Sequence, residues 1–402
     1  MSFPKRLAIP RAVLTIARKL EEAGFDTWCV GGAIRDTLLG LENHDFDLTT
    51  AARPADVQRL FRRTVPIGVE HGTVAVLDAG NRPHEVTTFR RDVHTDGRHA
   101  QVEFGVSLND DLARRDFTIN AIAYHPTRHE WRDPFHGSQD LERKVIRAVG
   151  DPNWRFREDF LRILRALRFA ARFEFRIHGA TREAAQANAQ GLSQLSAERV
   201  RDEWFKGIAT ARRVSKLLAL WLDIGAARIW LPEIRGAGNG ERGGGGGGVV
   251  DKLPRDPVLI SAHLASDPAS LLTRLKCANR DIERGRAIRE WRDKYPDAKR
   301  VAEVRRWLSE TGPAADDLLL LLAATAPRSP IPRVVRAIRD AHDPLSLKDL
   351  PVRGEDLIAA GVRPGPDVGA ILQRLLVEVL EDPSRNTREH LLARVREWVK
   401  AA

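Results

Sequence analysis

Asp45 and Asp47 stand two residues apart in the segment DFDLTT, alternating with Phe46 and Leu48. On a strand, successive side chains leave opposite faces, so both carboxylates would share one face and the apolar pair the other. Two acceptor-only groups placed that way can share hard divalent cations, magnesium being the usual choice when a phosphate supplies the remaining oxygens. Upstream, Gly31 and Gly32 break the apolar run Trp28 to Val30, ahead of a helical period through Ile34, Leu38 and Leu39. A strand, a glycine turn and a helix start present unpaired backbone N–H groups, and with Arg35 they make an anion site. Either half alone is ordinarily a turn or a solvated surface; in this order, with Thr49 and Thr50 following, they are much more specific.

Further charged residues extend the set. Glu85, in HEVTTF, is a candidate third carboxylate if its strand lies beside that of Asp47, although an edge-strand charge explains it as well. Arg114 and Arg115 in RRDFTINAIAY offer forked donors for phosphates, and the adjoining Asp116 offers an acceptor for a ribose hydroxyl. Asp159 and Arg162 lie three apart in REDFLRILRALRF, hence side by side if the segment is one helix. As an ion pair they would contribute a few tenths of a kcal/mol, roughly. As a template they read a base edge: cytosine and adenine each show an amino donor beside an unprotonated ring nitrogen, which suits an Asp acceptor next to an Arg donor. Uracil and guanine reverse that pattern. Asn120, Glu158 and Arg165 are supporting candidates.

These residues need elements to hold them. Val13, Ile16, Ala17, Leu20 and Ala23 recur at helical spacing, so the N-terminus reads as an amphipathic packing helix rather than a signal peptide. A helix is expected over Pro54 to Arg62, and strands over Gly72 to Leu77 and His84 to Phe89 around a Gly80-Asn81 turn. RRDVHTDGRHAQ, Arg90 to Gln101, reads as a mobile loop over the nucleotide site, with zinc binding by His94 and His99 disfavoured for want of partners. The alternation Phe117, Ile119, Ala121, Ala123 follows. One amphipathic helix is expected across Arg155 to Phe175, with Phe160, Ile163, Leu164 and Leu167 as its stripe. Strand signals are sparse beyond about residue 180, and Ser196 is a helix-cap signal. The glycine-rich stretch 236–248 is expected to be a disordered surface loop.

The chain has 402 residues, 65 Lys and Arg against 55 Asp and Glu, and a formal charge of +10. That balance suits a polyanionic partner. Two distant cysteines, Cys29 and Cys277, exclude a disulfide framework and fit a reducing cytoplasm. The longest aliphatic run, Leu318 to Leu322, is too short to span a bilayer, so no membrane partner is expected. The last helix carries Arg388, Arg394, Arg396 and Lys400, which could track phosphates.

The glycine turn and the Asp-x-Asp together resemble the nucleotidyltransferase core of the polymerase β type. Taken with EVTTFRRD, RRDFTINAIAY, DPFHGSQDL, REDFLRILRALRFAARFEF and LSAERVRDEW, the sequence resembles the class II CCA-adding tRNA nucleotidyltransferases and bacterial poly(A) polymerases. The resemblance implies an α+β protein: a polymerase-β-like head with a mixed sheet, residues 1–143, then an all-helical neck (144–212), body (213–320) and tail (321–402) in a seahorse arrangement. It also implies Asp45 and Asp47 as metal ligands, Gly31, Gly32, Arg35, Arg114, Arg115 and Asp116 around the nucleotide, and Asp159 with Arg162 as the base template. The substrates implied are CTP, ATP and a tRNA 3′ end, with Mg2+ as cofactor; no oligomeric state is implied. The full-looking segment after EVTTFR weighs against CC-only addition. An A-adding enzyme, a poly(A) polymerase and a catalytically silent RNA-binding protein stay open at this point.

Overall fold

The computed structural model describes residues 3–42, 46–95, 100–234 and 248–401. Asp45, His99 and most of the glycine-rich stretch lie outside these residues, as do the side chains of residues 92–95, so the expectations for Asp45, the histidine pair and the glycine loop are not addressed by it. The described chain forms two compact units, one of residues 1–232 with 274–276 and the other of 233–273 with 277–402.

The first unit opens with helix α1 (Arg11–Glu22), whose Val13, Ile16, Ala17 and Leu20 are buried as the periodicity predicts. Strand β1 (Thr27–Val30) runs into the glycine turn and helix α2 (Gly32–Leu38). Strand β2 (Asp47–Thr50), helix α3 (Pro54–Leu60) and strands β3 (Thr64–Gly68), β4 (Thr73–Leu77) and β5 (Pro83–Thr88) follow. The sheet has the order β3-β4-β5-β2-β1-β8-β9, where β8 is Ala123–Tyr124 and β9 is Trp131–Arg132. It is mixed: β2 pairs antiparallel to β1 and parallel to β5.

Register decides where the chemistry lies. Cys29 pairs with Leu48 and Val30 with Asp47. Cys29 and Leu48 enter the large core that also takes α1 and Phe169, whereas Trp28 and Val30 enter a second core with Phe89 and Leu112. Asp47 therefore leaves the sheet on the Val30 face. Leu48 also pairs with Val86, which brings the preceding residues Asp47 and Glu85 side by side on that face. Glu85 is exposed there.

Three expectations are corrected. The segment after EVTTF is not an irregular loop: β6 (Arg90–Thr95) and β7 (Ala100–Phe104) form a two-stranded antiparallel ribbon. Gly72 receives the Phe104 ring, and Arg90 donates to the His71 carbonyl, so the ribbon is anchored at its base. After α4 (Leu108–Ala113), the Phe117–Ala123 alternation is a single turn of 3-10 helix, Thr118–Asn120, leading into β8. After α5 (Gly137–Glu142) and β10 (Val145–Ile146), the long amphipathic helix is in fact two, α6 (Pro152–Glu158) and α7 (Leu161–Phe173). Asp159 is extended, φ −156° and ψ 106°, and its Oδ1 accepts the Leu161 N–H at 3.0 Å. An aspartate that satisfies a free helix-start donor ends one helix and begins the next.

Strand β11 (Arg176–Ile177) pairs with β10, and from there the first unit is helical: α8 (Gly179–Ala187), α9 (Ala197–Thr210), α10 (Val214–Ile224) and α11 (Ala226–Trp230). Ser196 caps α9 as expected, its hydroxyl accepting the Arg199 N–H. The second unit comprises α12 (Pro257–Leu264), α13 (Pro268–Arg274), α14 (Asn279–Trp291), α15 (Val301–Thr311), α16 (Ala314–Thr325), α17 (Ile331–Asp340), α18 (Gly354–Ala359), α19 (Pro366–Glu381) and α20 (Arg388–Ala401). Arg284 joins α14 to α16 by ion pairs with Asp256 at 2.9 Å and Asp317 at 2.6 Å. Two α20 cations expected to follow phosphates have acidic partners, Arg388 on Asp356 and Arg394 on Glu378. Among the described residues no helix is long and apolar enough to cross a membrane.

Candidate active site

A cavity of about 560 Å³ opens in the first unit, lined by Gly31, Gly32 and Asp47 from the sheet side and by Asp159 and residues of α7 from the helical side. Its described lining carries eight arginines (35, 114, 115, 162, 165, 168, 172 and 199) against three aspartates (47, 116 and 159). Such an excess of fixed cations in a concave site favours a polyanion.

Gly31 is the closest approach. It adopts φ +77°, and a Cβ there would lie 3.2 Å from Arg115 Nη1 and 3.8 Å from Asp47 Oδ2. Only glycine gives both this backbone and this proximity without strain. Arg114 and Arg115 are held from behind by Asp111, which is wholly buried. Its carboxylate takes Arg114 Nε at 2.9 Å and Arg115 Nη2 at 3.2 Å, and accepts the Thr49 hydroxyl of β2 at 3.3 Å. Burial opposes ionisation of Asp111, but the two arginines outweigh it and keep the carboxyl below the ordinary range.

Asp116 is the centre of a second network. Its Oδ1 accepts from Asn120 Nδ2 at 2.9 Å and from the Phe117 N–H at 2.8 Å, and its Oδ2 accepts from Arg165 Nε at 2.8 Å. Burial pushes the carboxyl up, yet Arg165, Asn120 and Arg162 bring it down to about 2. Asn120 in turn accepts from Arg35 Nη1 at 2.6 Å. Arg35 is buried, paired with Asp36 at 2.7 Å and set over the rings of Phe169 and Phe173, so it lines the cavity as an anchored cation rather than a reaching one.

Asp159 and Arg162 both line the cavity, but not as a pair. Arg162 Nη1 donates to Glu158 Oε2 at 2.6 Å and its Nη2 to the Arg114 carbonyl at 3.2 Å. Asp159 Oδ2 accepts from Arg199 Nη2 of α9 at 2.7 Å. The geometry thus brings Asp47, Gly31, Gly32, Arg35, Arg114, Arg115, Asp116, Asn120, Asp159, Arg162 and Arg165 to one cavity, with Glu158 behind Arg162 and Glu85 beside Asp47 on the sheet.

The sequence reading did not single out Asp111, Arg168, Arg172 or Arg199. Arg162, Arg165, Arg168 and Arg172 recur every three or four residues, so following the first two along the helix finds the others. Arg168 meets Glu203 of α9 at 2.6 Å and Arg172 meets Asp36 of α2 at 3.0 Å, tying α7 to both neighbours.

A separate cluster of Glu21, Asp26 and His125 has ligand atoms close enough for a metal. Its hydrogen bonds indicate otherwise. His125 Nδ1 accepts the Arg128 N–H at 3.1 Å, which leaves the proton of the neutral ring on Nε2, 2.5 Å from Glu21 Oε1. Arg128 also pairs with Asp26 at 2.8 Å, so the cluster carries its own cation.

Three family models match in chain order: "Poly A polymerase head domain" over residues 27–147, "Probable RNA and SrmB- binding site of polymerase A" over 174–236, and "tRNA nucleotidyltransferase domain 2 putative" over 334–395. The CCA-adding enzyme of Pediococcus pentosaceus is 34% identical, covering 99% of this chain and 100% of its own. That of Streptococcus pneumoniae is 36% identical, covering 96% of each. Among solved structures, the Bacillus stearothermophilus CCA-adding enzyme in complex with CTP superposes with a TM-score of 0.82 at 30% identity, covering 97% of this chain and 98% of that one. With identity above 30% along nearly the whole length, the chain belongs to the family of CCA-adding enzymes, which are tRNA nucleotidyltransferases.

Proposed function

We propose that the protein adds C, C and A to the 3′ end of tRNA from CTP and ATP, without a nucleic-acid template. The observation that carries this reading is the single cavity that joins an acidic sheet residue, a glycine turn and a row of arginines to the Asp159 and Arg162 pair. The full-length likeness to CCA-adding enzymes supports it over a solitary A-adding or poly(A) activity.

In this reading the arginines that follow α4 and those of α7 take the triphosphate, with Asp111 fixing the fork of Arg114 and Arg115. Asp116 accepts from the ribose while Arg165 and Asn120 hold it ionised. Enzymes of this family work with divalent metals, and we assign magnesium here. Asp47 on the cavity wall, with Asp45 preceding it and Glu85 beside it, is a set of hard oxygen donors that fits such an ion. Bound there, the metal supplies acidification of the attacking 3′-hydroxyl and neutralisation of the departing pyrophosphate.

Asp159 and Arg162 read the base. Arg199 holds Asp159 and Glu158 holds Arg162, and the lone pairs and N–H groups these contacts leave over meet the edge of a cytosine or adenine. Uracil or guanine sets like groups against each other, and each mismatched buried polar group costs about 1–3 kcal/mol.

We assign residues 1–143 to a catalytic head, 144–212 to a neck carrying the base-reading helix, 213–320 to a body and 321–402 to an RNA-binding tail. Cys29 and Cys277 are not joined in a disulfide, which suits a reducing cytoplasm. The test is extension of tRNA ending at its discriminator base, after one C and after two, with each nucleotide singly and together. CTP alone is expected to add two residues and ATP only to follow them. Extension by ATP alone from the discriminator base, or by none of the nucleotides, contradicts the reading.

A further inference from the structure

Trp154 is the most solvent-open large apolar side chain among the described residues, with 66% of its surface exposed. It lies in the first turn of α6, and nothing in the chemistry above uses it. An indole left in water forfeits its burial, so its placement calls for a ligand that would cover it.

The ring is held rather than loose. Its Nε1–H donates to Glu158 Oε1 at 3.0 Å, and the other oxygen of that carboxylate takes Arg155 Nη1 at 2.7 Å and Arg162 Nη1 at 2.6 Å. The backbone beneath is pinned too, since Asp151 Oδ1 accepts the N–H groups of Asn153 and Trp154. Trp154 is thus one shared carboxylate away from the arginine that reads the incoming base. Arg157, exposed and three residues on, stands beside it on the helix surface. A fixed aromatic face flanked by an exposed guanidinium recognises a single-stranded nucleotide, the base by stacking and the phosphate by charge.

We propose that Trp154 is the stacking platform for the 3′-terminal base of the RNA being extended. This rests on the reading of the cavity as a nucleotidyl-transfer site: the terminal nucleotide must sit next to the incoming one, and Trp154 shares Glu158 with Arg162, to which that reading gives the incoming base. Its role is to bind and position the RNA.

The test uses the full-length enzyme, a tRNA ending in CC, and the same tRNA with an abasic terminal residue, extended with ATP. Trp154→Ala is expected to raise KM for the intact RNA by about fivefold to a hundredfold, the range of one base stacked on an aromatic ring. Trp154→Phe, which keeps a ring and loses the N–H, recovers most of that loss. On the abasic RNA, wild type and Trp154→Ala behave alike, and the choice of ATP over GTP on the intact RNA is kept by both variants. An unchanged KM, an equal loss on intact and abasic RNA, or Trp154→Phe as impaired as Trp154→Ala overturns the proposal while wild-type extension leaves the activity intact. Failure of wild type to extend either RNA instead removes the nucleotidyl-transfer reading on which the platform rests.

Discussion

Glu158 and Arg162 meet across the break between α6 and α7, with Oε2 2.6 Å from Nη1. Arg162, to which we assign the reading of the base, is therefore aimed by a residue of the preceding helix and not by Asp159, its expected partner. Asp159 is aimed by Arg199, forty positions away. Each half of the proposed template has its own support, and side chains whose orientation the fold fixes lower the cost of recognition.

Arg199→Ala removes the support that α9 gives Asp159. A hydrogen bond to a charged group contributes roughly 1.5–3 kcal/mol, so incorporation of CTP and ATP alike is expected to fall about tenfold to a hundredfold in kcat/KM. Single-turnover rates measure it, and Arg199→Lys should recover part of the loss because it restores charge without the fork.

Asp116 predicts an acid dependence. Its carboxyl stands at about 2 against an ordinary 3.8. A depressed carboxylate stabilises the fold fully above the unfolded value and loses that contribution as pH falls through the folded one, here between about pH 4 and pH 2, for roughly 2 kcal/mol in all. Urea midpoints across that range should converge for wild type and Asp116→Asn as pH falls, with wild type the more stable at neutral pH.

Gly191 has no room for a side chain: a Cβ would lie 2.1 Å from the ring of Phe160. Gly191→Ala must displace that ring, which adjoins Asp159, at a cost of about 1–3 kcal/mol for overpacking. Lowered thermal stability and slower incorporation are expected together. Phe160→Leu in the same chain should restore part of both by making space.

Asp47→Asn keeps the size of the side chain on β2 and removes its charge. As Asp47 is the metal ligand we propose, turnover is expected to fall by about a thousandfold or more, since such an ion supplies several kcal/mol of transition-state stabilisation. The circular dichroism spectrum and melting temperature should stay close to wild type, and near-normal turnover would exclude Asp47 from the metal site.

What the sequence made legible was periodic and local. Alternation in DFDLTT and HEVTTF marked the strands that bring Asp47 and Glu85 together, and the glycine pair marked the turn at Gly31. The break at Asp159 was hidden because the apolar stripe runs on through Phe160 and Leu164 while the cause is one side chain accepting a backbone N–H. The ribbon of β6 and β7 was hidden because a polar strand is held by its partner strand more than by its own composition. Arg199 was silent for another reason: its partner Asp159 lies 40 positions away, beyond any pattern in a window; Asp111 meets Arg114 and Arg115 at helical spacing, but its tie to Thr49 of β2, 62 positions away, is not visible in the sequence.

The central claim is that protein side chains, and no nucleic-acid template, choose the base. Its most direct test is the ratio of kcat/KM for CTP to that for UTP on one tRNA, in wild type and in Arg162→Ala. Removal of the guanidinium is expected to cut the ratio at least tenfold, the equivalent of about 1.4 kcal/mol from one mismatched polar contact. A variant that keeps both its rate and its preference for CTP would contradict the account.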